Sequence, residues 1–450
     1  MGLPLPKHLS DRLTCQTIHS LLYRDLAPDR GLYFPKTLVK HGDRLGVLFS
    51  KKFCQQLDSG NEVLSDDWDG LDDAAYTEVQ RLRARRETWK DTRYAGPMAD
   101  RVKFMWDLHT SAFQRGFWDF TWLLERGIEK GIAWSSDYCA VDEINDLNAL
   151  QATLCARIEG KQVEYVGDLD QAIYGFAGVD PQQILKILPH DTVETMELSH
   201  RLTAPIARTA EYVLSQASWR SQGVIRTERE GGAYHDLDII ENVLTLIRDN
   251  PDTYGDAYVI GRTNWLVGKA RNMAIEYGMN VANSGEEDLL QQLCRMIVSP
   301  TPSLAHSSIP CLTAGYLAAG EYFKRGAKAS LNALYAREPN GSMPWREFYQ
   351  NYGTDRLKRV LAGEWDNWYR ERKIDPLKPI VRFDTFHASK GMEAKTVVLL
   401  TDITQRVEEE GIADEEIRLA YVATTRGRDH VMPASIDYGW QSRWVAGSGK

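Results

Sequence analysis

Apolar positions along the chain follow different periods in different stretches. Over residues 72–88 and 99–129 they recur every three to four positions, the spacing that lays one apolar stripe along a helix. Over residues 135–200 the pattern shifts to short apolar runs closed by turn residues, which predicts alternating strands and helices. Helical spacing returns at 201–214, and Ala257-Tyr258-Val259-Ile260-Gly261-Arg262-Thr263-Asn264 predicts a strand and a turn. Residues 290–378 again predict helices, broken by turn material at Pro300-Thr301-Pro302 and Pro339-Asn340-Gly341-Ser342. Three later runs, 380–386, 396–400 and 419–423, predict strands. The expected fold class is therefore α/β, with two parallel-sheet cores that each carry a mainly helical insertion.

Composition narrows the picture. A chain of 450 residues with 43% hydrophobic content suits two or three soluble domains. It has no apolar run of about 18 residues, so no membrane contact is expected. The six cysteines, at 15, 54, 139, 155, 294 and 311, form no C-x-x-C and no Cys/His cluster with metal spacing. They are expected as buried, reduced thiols of a cytoplasmic protein. A net charge of −9 argues against coating nucleic acid by charge alone. It leaves room for a protein that grips a few nucleotides by stacking and local basic contacts. The most basic window, with Arg81, Arg83, Arg85, Arg86, Lys90 and Arg93, reads either as a solvated helix face or as a patch touching duplex or strand.

Two apolar runs end in carboxylates. Tyr138-Cys139-Ala140-Val141 leads into Asp142-Glu143-Ile144-Asn145-Asp146. About one crossover later, Tyr165-Val166 leads into Gly167-Asp168-Leu169-Asp170-Gln171-Ala172-Ile173-Tyr174-Gly175-Phe176. Adjacent parallel strands deliver acids to a nucleotide's phosphates in this way. Phosphoryl transfer needs a carboxylate for Mg²⁺ and a second group to orient the attacking water, and Asp142 and Glu143 could serve both needs. An amide such as Gln171 can donate to a phosphate oxygen without adding charge. The rings of Tyr174 and Phe176 could stack on any base, contributing on the order of 1–3 kcal/mol without selecting sequence. A core place is the plain alternative for Phe176.

These segments, with Thr17-Ile18-His19-Ser20, Leu198-Ser199-His200-Arg201-Leu202-Thr203, Asp384-Thr385-Phe386-His387-Ala388-Ser389-Lys390-Gly391-Met392-Glu393 and Arg418-Leu419-Ala420-Tyr421-Val422-Ala423-Thr424-Thr425-Arg426, resemble in order the motifs of UvrD/Rep/PcrA-type superfamily 1 DNA helicases. The resemblance implies two RecA-like cores that bind ATP and Mg²⁺ between them and move along single-stranded DNA, 3′ to 5′, acting at duplex junctions. It implies that Asp142 holds the metal, Glu143 activates water, and Gln171, Arg201 and Arg426 read or stabilise the γ-phosphate. His200 would stack on adenine, Glu393 would approach the ribose, and Gly391 would permit close backbone approach. Thr17, His19, Tyr174, Phe176, Thr385, His387 and Lys390 would face DNA. The chain departs from the family pattern at Asn145, where motif II has glutamine. It departs also at His200, where motif IV has tyrosine, and at Phe176-Ala177, where motif III has tryptophan and arginine.

The family's phosphate cradle, G-x-x-x-x-G-K-[ST], has no match before Thr17; residues 7–13 would be the tail of the helix after motif Ia. Ala446-Gly447-Ser448-Gly449-Lys450 imitates its end, but Trp444 stands where the first glycine belongs, so a polar tail is expected there. The resemblance thus implies a first core (1–24 and 135–200) incomplete at its N-terminus, a helical insertion (25–134), a second core (201–289 and 379–440), a reduced helical insertion (290–378) and a tail (441–450). The missing cradle is expected from a truncated gene model or from a separate chain. The leading expectation is an ATP-dependent DNA helicase or translocase. The alternative is a DNA-binding or interaction protein that keeps the motor fold without ATP turnover.

Overall fold

Asn148 and Gln151 cap each other's backbone at a helix start, and that helix is the crossover between the two strands that carry the acids. The computed structural model describes residues 15–28, 33–50, 53–54, 70–221, 223–279, 281–282, 303–305, 328–330, 381–402 and 413–436. The expectations for 1–14 and for the tail lie outside them, as do those for residues 290–378 apart from two short strands. Contacts divide the chain into unit 1, residues 1–195 and 219–221, and unit 2, residues 196–218 and 222–450.

Unit 1 opens with α1 (Ile18–Leu26), α2 (Phe34–His41), α3 (Leu71–Ala84), α4 (Gly96–Gln114) and α5 (Phe120–Glu129). The single helical stretch expected over 99–129 is broken at Gly116, whose φ is +87°, and restarts where Asp119 caps α5. Phe34, Leu38, Val79, Leu82, Val102 and Met105 form one apolar cluster, while α5 packs with α1 and α6 through Leu22, Leu123, Leu124, Leu150 and Leu154. β1 (Tyr138–Val141), α6 (Ala149–Cys155) and β2 (Gln162–Tyr165) follow, then α7 (Pro181–Ile187). β1 and β2 pair in parallel, Tyr138 opposite Gln162 and Val141 opposite Tyr165.

The basic window is neither a solvated face nor a nucleic-acid patch along its first half. α3 is buried on nearly all sides, so its charges are paired internally. Arg81 grips the Glu78 carboxylate at 2.8 and 2.9 Å, and the same carboxylate accepts from the Thr92 hydroxyl and the Arg93 amide. Arg83 binds Glu125 at 2.8 Å between the Trp106 and Phe113 rings, and Arg85 reaches Asp180 at 2.9 Å. Arg86 and Lys90 stay exposed. Of the thiols, Cys15 is exposed rather than buried, whereas burial, aided by Cys139, pushes the Cys155 thiol up to about 12.

Unit 2 comprises α8 (Ala204–Leu214), β3 (Ala233–Tyr234), β4 (Asp238–Ile239), α9 (Ile240–Asp249), α10 (Pro251–Tyr254), β5 (Ala257–Gly261), α11 (Asn264–Glu276), β6 (Val281–Ala282), β7 (Ser303–Ala305), β8 (Lys328–Ser330), β9 (Val381–Thr385), β10 (Ala394–Leu400), α12 (Asp414–Thr424) and β11 (Gly427–Ser435). Its main sheet runs β3-β11-β10-β5-β9-β6, with β4 also on β11, and the pairings are parallel. Helices cover it, so β5 and most of β10 are wholly buried, as an all-parallel sheet requires. β7 and β8 pair antiparallel. The arrangement is α/β and consistent with a RecA-like core.

One expected strand is a helix. Leu419-Ala420-Tyr421-Val422-Ala423 lies inside α12, and the strand after it is β11. A short apolar run buried on every side has no period that separates strand from helix. The acids Asp414, Glu415 and Glu416 in the first turn of α12 were the sign of a helix start.

Candidate functional site

In unit 1 the parallel register brings the ends of β1 and β2 together. Val166 donates to the Val141 carbonyl at 2.8 Å, and Ile144 donates to the Val166 carbonyl at 3.1 Å. Asp142 and Glu143 are exposed at this edge. Glu143 adopts φ +54° and ψ +45°, a left-handed conformation that costs a residue with a Cβ roughly 1–2 kcal/mol. Its amide donates to Asp142 Oδ1 at 2.9 Å, so the turn binds the two acids to each other.

Asn145, read from the sequence only as a departure, organises the site. It is fully buried (0% exposed). Its Nδ2 donates to Glu143 Oε2 at 3.2 Å and to Asp146 Oδ1 at 3.0 Å, while its Oδ1 accepts from the Asp168 amide at 3.0 Å. Asp168 in turn accepts from Gln171 Nε2 at 2.8 Å. One hydrogen-bonded chain therefore runs from Gln171 to Glu143. A Cβ on Gly167 would stand 2.6 Å from Asn145 Oδ1, so glycine is required there. The signal in the sequence was the shorter amide together with a glycine across the sheet. Neither shows contact without the register.

The rings lie elsewhere than expected. Phe176 is 4% exposed, and its edge meets Tyr174 with ring centroids 6.0 Å apart; so enclosed, it offers no face to a base in this conformation. The Gly175–Ala177 turn that carries it is packed against α3, where a Cβ on Gly178 would come within 2.7 Å of Ala84. Tyr174 is half-buried, and burial followed by the charges of Asp146 and Glu143 pushes its hydroxyl up to about 12. It thus stands in the field of the acidic turn. Thr17 uses its hydroxyl to cap α1, accepting from the Ser20 amide at 3.2 Å. His19, two residues after the cap, packs edge-on against Phe120 at 5.2 Å.

In unit 2 the structure joins two of the expected residues. Exposed Arg201 binds Glu393 Oε2 at 3.1 Å, and Arg428, which sequence reasoning passed over, reaches the other oxygen at 3.6 Å. Arg229 supports the same corner, donating to the Arg201 carbonyl and to Asp429. Arg426 is not presented to solvent. It is 3% exposed, and its guanidinium donates to the Val422 carbonyl at 2.8 Å, the Met392 carbonyl at 3.4 Å and the Thr425 hydroxyl at 3.0 Å. Its own carbonyl accepts from the Ala394 amide, so it pins the end of α12 to the start of β10. His200 is exposed two residues past Leu198.

The turn after β9 carries the remaining residues. Thr385 caps it, accepting from the Ala388 amide at 3.2 Å, and His387 and Lys390 are half-buried along it. Gly391 has φ +77°, and an added Cβ would meet nothing within 4 Å. Backbone conformation, not space, explains this glycine. Beneath the turn, Asp384 accepts from the Tyr258 hydroxyl at 2.9 Å, and burial raises the Asp384 carboxyl despite that bond and Arg382.

Mg²⁺ is commonly held by one or two carboxylates with substrate phosphates and water, and the exposed Asp142 carboxylate fits that donor set. Among the described residues no group of three or more His, Cys, Asp or Glu could hold a metal by itself. Nor is any described helix long and apolar enough to cross a membrane.

Residues 108–190 match the family model for the UvrD/REP helicase N-terminal domain. Over 138 residues the chain is 34% identical to DNA helicase II of Haemophilus influenzae, a segment covering 28% of this chain and 19% of that protein. Over 142 residues it is 32% identical to the ATP-dependent DNA helicase PcrA of Staphylococcus aureus, covering 28% of this chain and 20% of that one. The matched part is thus about a fifth of those relatives' length. A solved C-terminal domain described as from a possible DNA helicase of a Lactobacillus (strain WCFS1) aligns at a TM-score of 0.27 with 11% identity, covering 55% of this chain and 92% of that one. That score carries no argument about the fold. The segment that matches the family model, which holds the Asp142-Glu143 turn and Gln171, is therefore similar to the N-terminal part of the UvrD/REP helicases.

Proposed function

We propose that this chain is the motor part of an ATP-dependent DNA helicase or translocase that moves 3′ to 5′ on single-stranded DNA and acts at duplex junctions. The observation that supports this most is the chain of hydrogen bonds from Gln171 through Asp168 and Asn145 to Glu143. It would let a change at a phosphate near Gln171 alter the carboxylate that orients water. Asp142 would hold Mg²⁺, Glu143 would take the proton of the attacking water, and exposed Arg201 would stabilise charge on the γ-phosphate. Arg426 would join it only after leaving its carbonyl partners. Glu393 holds Arg201 until a nucleotide competes for one or both, and His200 would lie against the base. Thr385, His387 and Lys390 would bind DNA phosphates.

This reading needs a phosphate cradle from sequence beyond these 450 residues, in the same polypeptide or in a partner chain. The half-exposed strands β1 and β2 are where its strand would add. The enclosed Arg426 favours a second reading, a DNA-binding protein without turnover.

Phosphate release by the chain, alone and joined to a P-loop-bearing upstream segment, separates the two. The first reading expects turnover by the joined form that rises with oligo(dT) and falls by roughly 10²-fold or more in Glu143→Gln. Turnover that survives Glu143→Gln would contradict the assignment. DNA binding with no turnover by the joined form would support the second reading.

A further inference from the structure

We propose that Trp265 and Lys269 form a base-stacking subsite for single-stranded nucleic acid, outside the sequence motifs that suggested DNA contact. This rests on the DNA-binding reading given above and adds a ligand contact to it. Among the described residues Trp265 is the most exposed tryptophan, with 64% of its surface open while the others are buried or half-buried. An indole ring is a large apolar surface, and leaving it in water contributes nothing to folding. The helix that carries it does not need it for packing, because α11 buries Leu266, Val267, Ala270 and Ala274 on its other side.

Lys269 lies one helical turn on, its ammonium 4.1 Å from the ring centroid. It covers part of the ring and leaves the larger share open. The same ammonium can meet a phosphate while the open face receives a base. Neither contact selects sequence, as befits a protein that grips any strand.

The start of the helix that carries the ring is firmly held. Thr263 caps α11, accepting from the Leu266 amide at 3.3 Å, and Arg262 is held by Glu416 at 2.7 and 3.0 Å. Its location agrees with the chemistry. β5 ends at Gly261 opposite Thr385 at the end of β9, and the Phe386 amide donates to the Gly261 carbonyl at 2.8 Å. The start of α11 and the turn bearing His387 and Lys390 therefore leave the same carboxyl edge of a parallel sheet, where α/β folds bind ligands.

The test is fluorescence anisotropy of the full chain with labelled oligo(dT) and with an abasic oligonucleotide of equal length and charge. Trp265→Ala should weaken oligo(dT) binding by ~5- to ~150-fold, the range of one lost stack, and leave abasic binding unchanged. Trp265→Phe should retain most of the affinity. Lys269→Gln should lower the salt dependence on both ligands. Equal oligo(dT) binding by Trp265→Ala and the unaltered chain would overturn this inference while leaving the DNA-binding reading intact. Equal loss on both oligonucleotides would overturn it too, by assigning Trp265 a structural role. No binding of either oligonucleotide by the unaltered chain would overturn both readings together.

Discussion

Asn145 uses both ends of its amide, and each bond reaches a different part of the site: Glu143, Asp146 and the Asp168 backbone. Replacing it by leucine leaves the half-buried Asp168 amide without its acceptor and removes a donor from two carboxylates. Asn145→Leu should cost about 2–4 kcal/mol in urea unfolding. Asn145→Gln, which restores the family's residue, should cost about 1–3 kcal/mol, because the buried site has no room for another methylene. A loss below about 0.5 kcal/mol for both would mean the amide is idle. The left-handed Glu143 gives a second prediction: Glu143→Gly should unfold about 1 kcal/mol later than Glu143→Ala, since only glycine is relaxed at φ +54°. Equal stability of the two would remove strain from the account. The departure at Asn145 was legible in the chain, but its bonds were not, because partners 23 positions apart meet only through strand register.

Among the elements, α3 behaves least as its charge pattern suggests. Its arginines point inward because each has a carboxylate to meet, and breaking such a pair leaves an uncompensated buried charge. Arg81→Met should cost about 3–5 kcal/mol, read from the denaturation midpoint. Survival of the unaltered midpoint would show that water reaches Glu78. Nearby, burial pushes the Glu125 carboxyl up to about 7, although Arg83 pulls it down. A carboxyl raised on folding binds its proton more tightly in the native state. Its contribution is therefore present below about pH 4.5 and lost as pH rises through about 7. Melting temperature should fall across that window, and Glu125→Gln should flatten the fall; an unchanged slope would exclude Glu125 as its source. Periodicity located α3 and α4, since one apolar face repeats along each. It misassigned Leu419 to Ala423, since a helix buried on all sides has no polar face to betray it.

At the scale of the whole molecule, the sheet of unit 2 is covered on both faces, while β1 and β2 of unit 1 alternate between exposed and half-buried positions. Supplying a P-loop segment that adds a strand at their edge and a helix over their face should bury those positions and raise the melting temperature by about 2–4 °C per kcal/mol gained. No rise on joining it would leave the open strands unexplained. Motif order, the two acids at the end of β1 and the α/β class were determined by the sequence alone, because they rest on neighbouring residue types and local period. Tertiary structure decided that Phe176 and Arg426 are enclosed, that Arg201 shares Glu393 with Arg428, and that Trp265 stands open. Exposure and pairing depend on which distant segments pack together, and no local pattern records that.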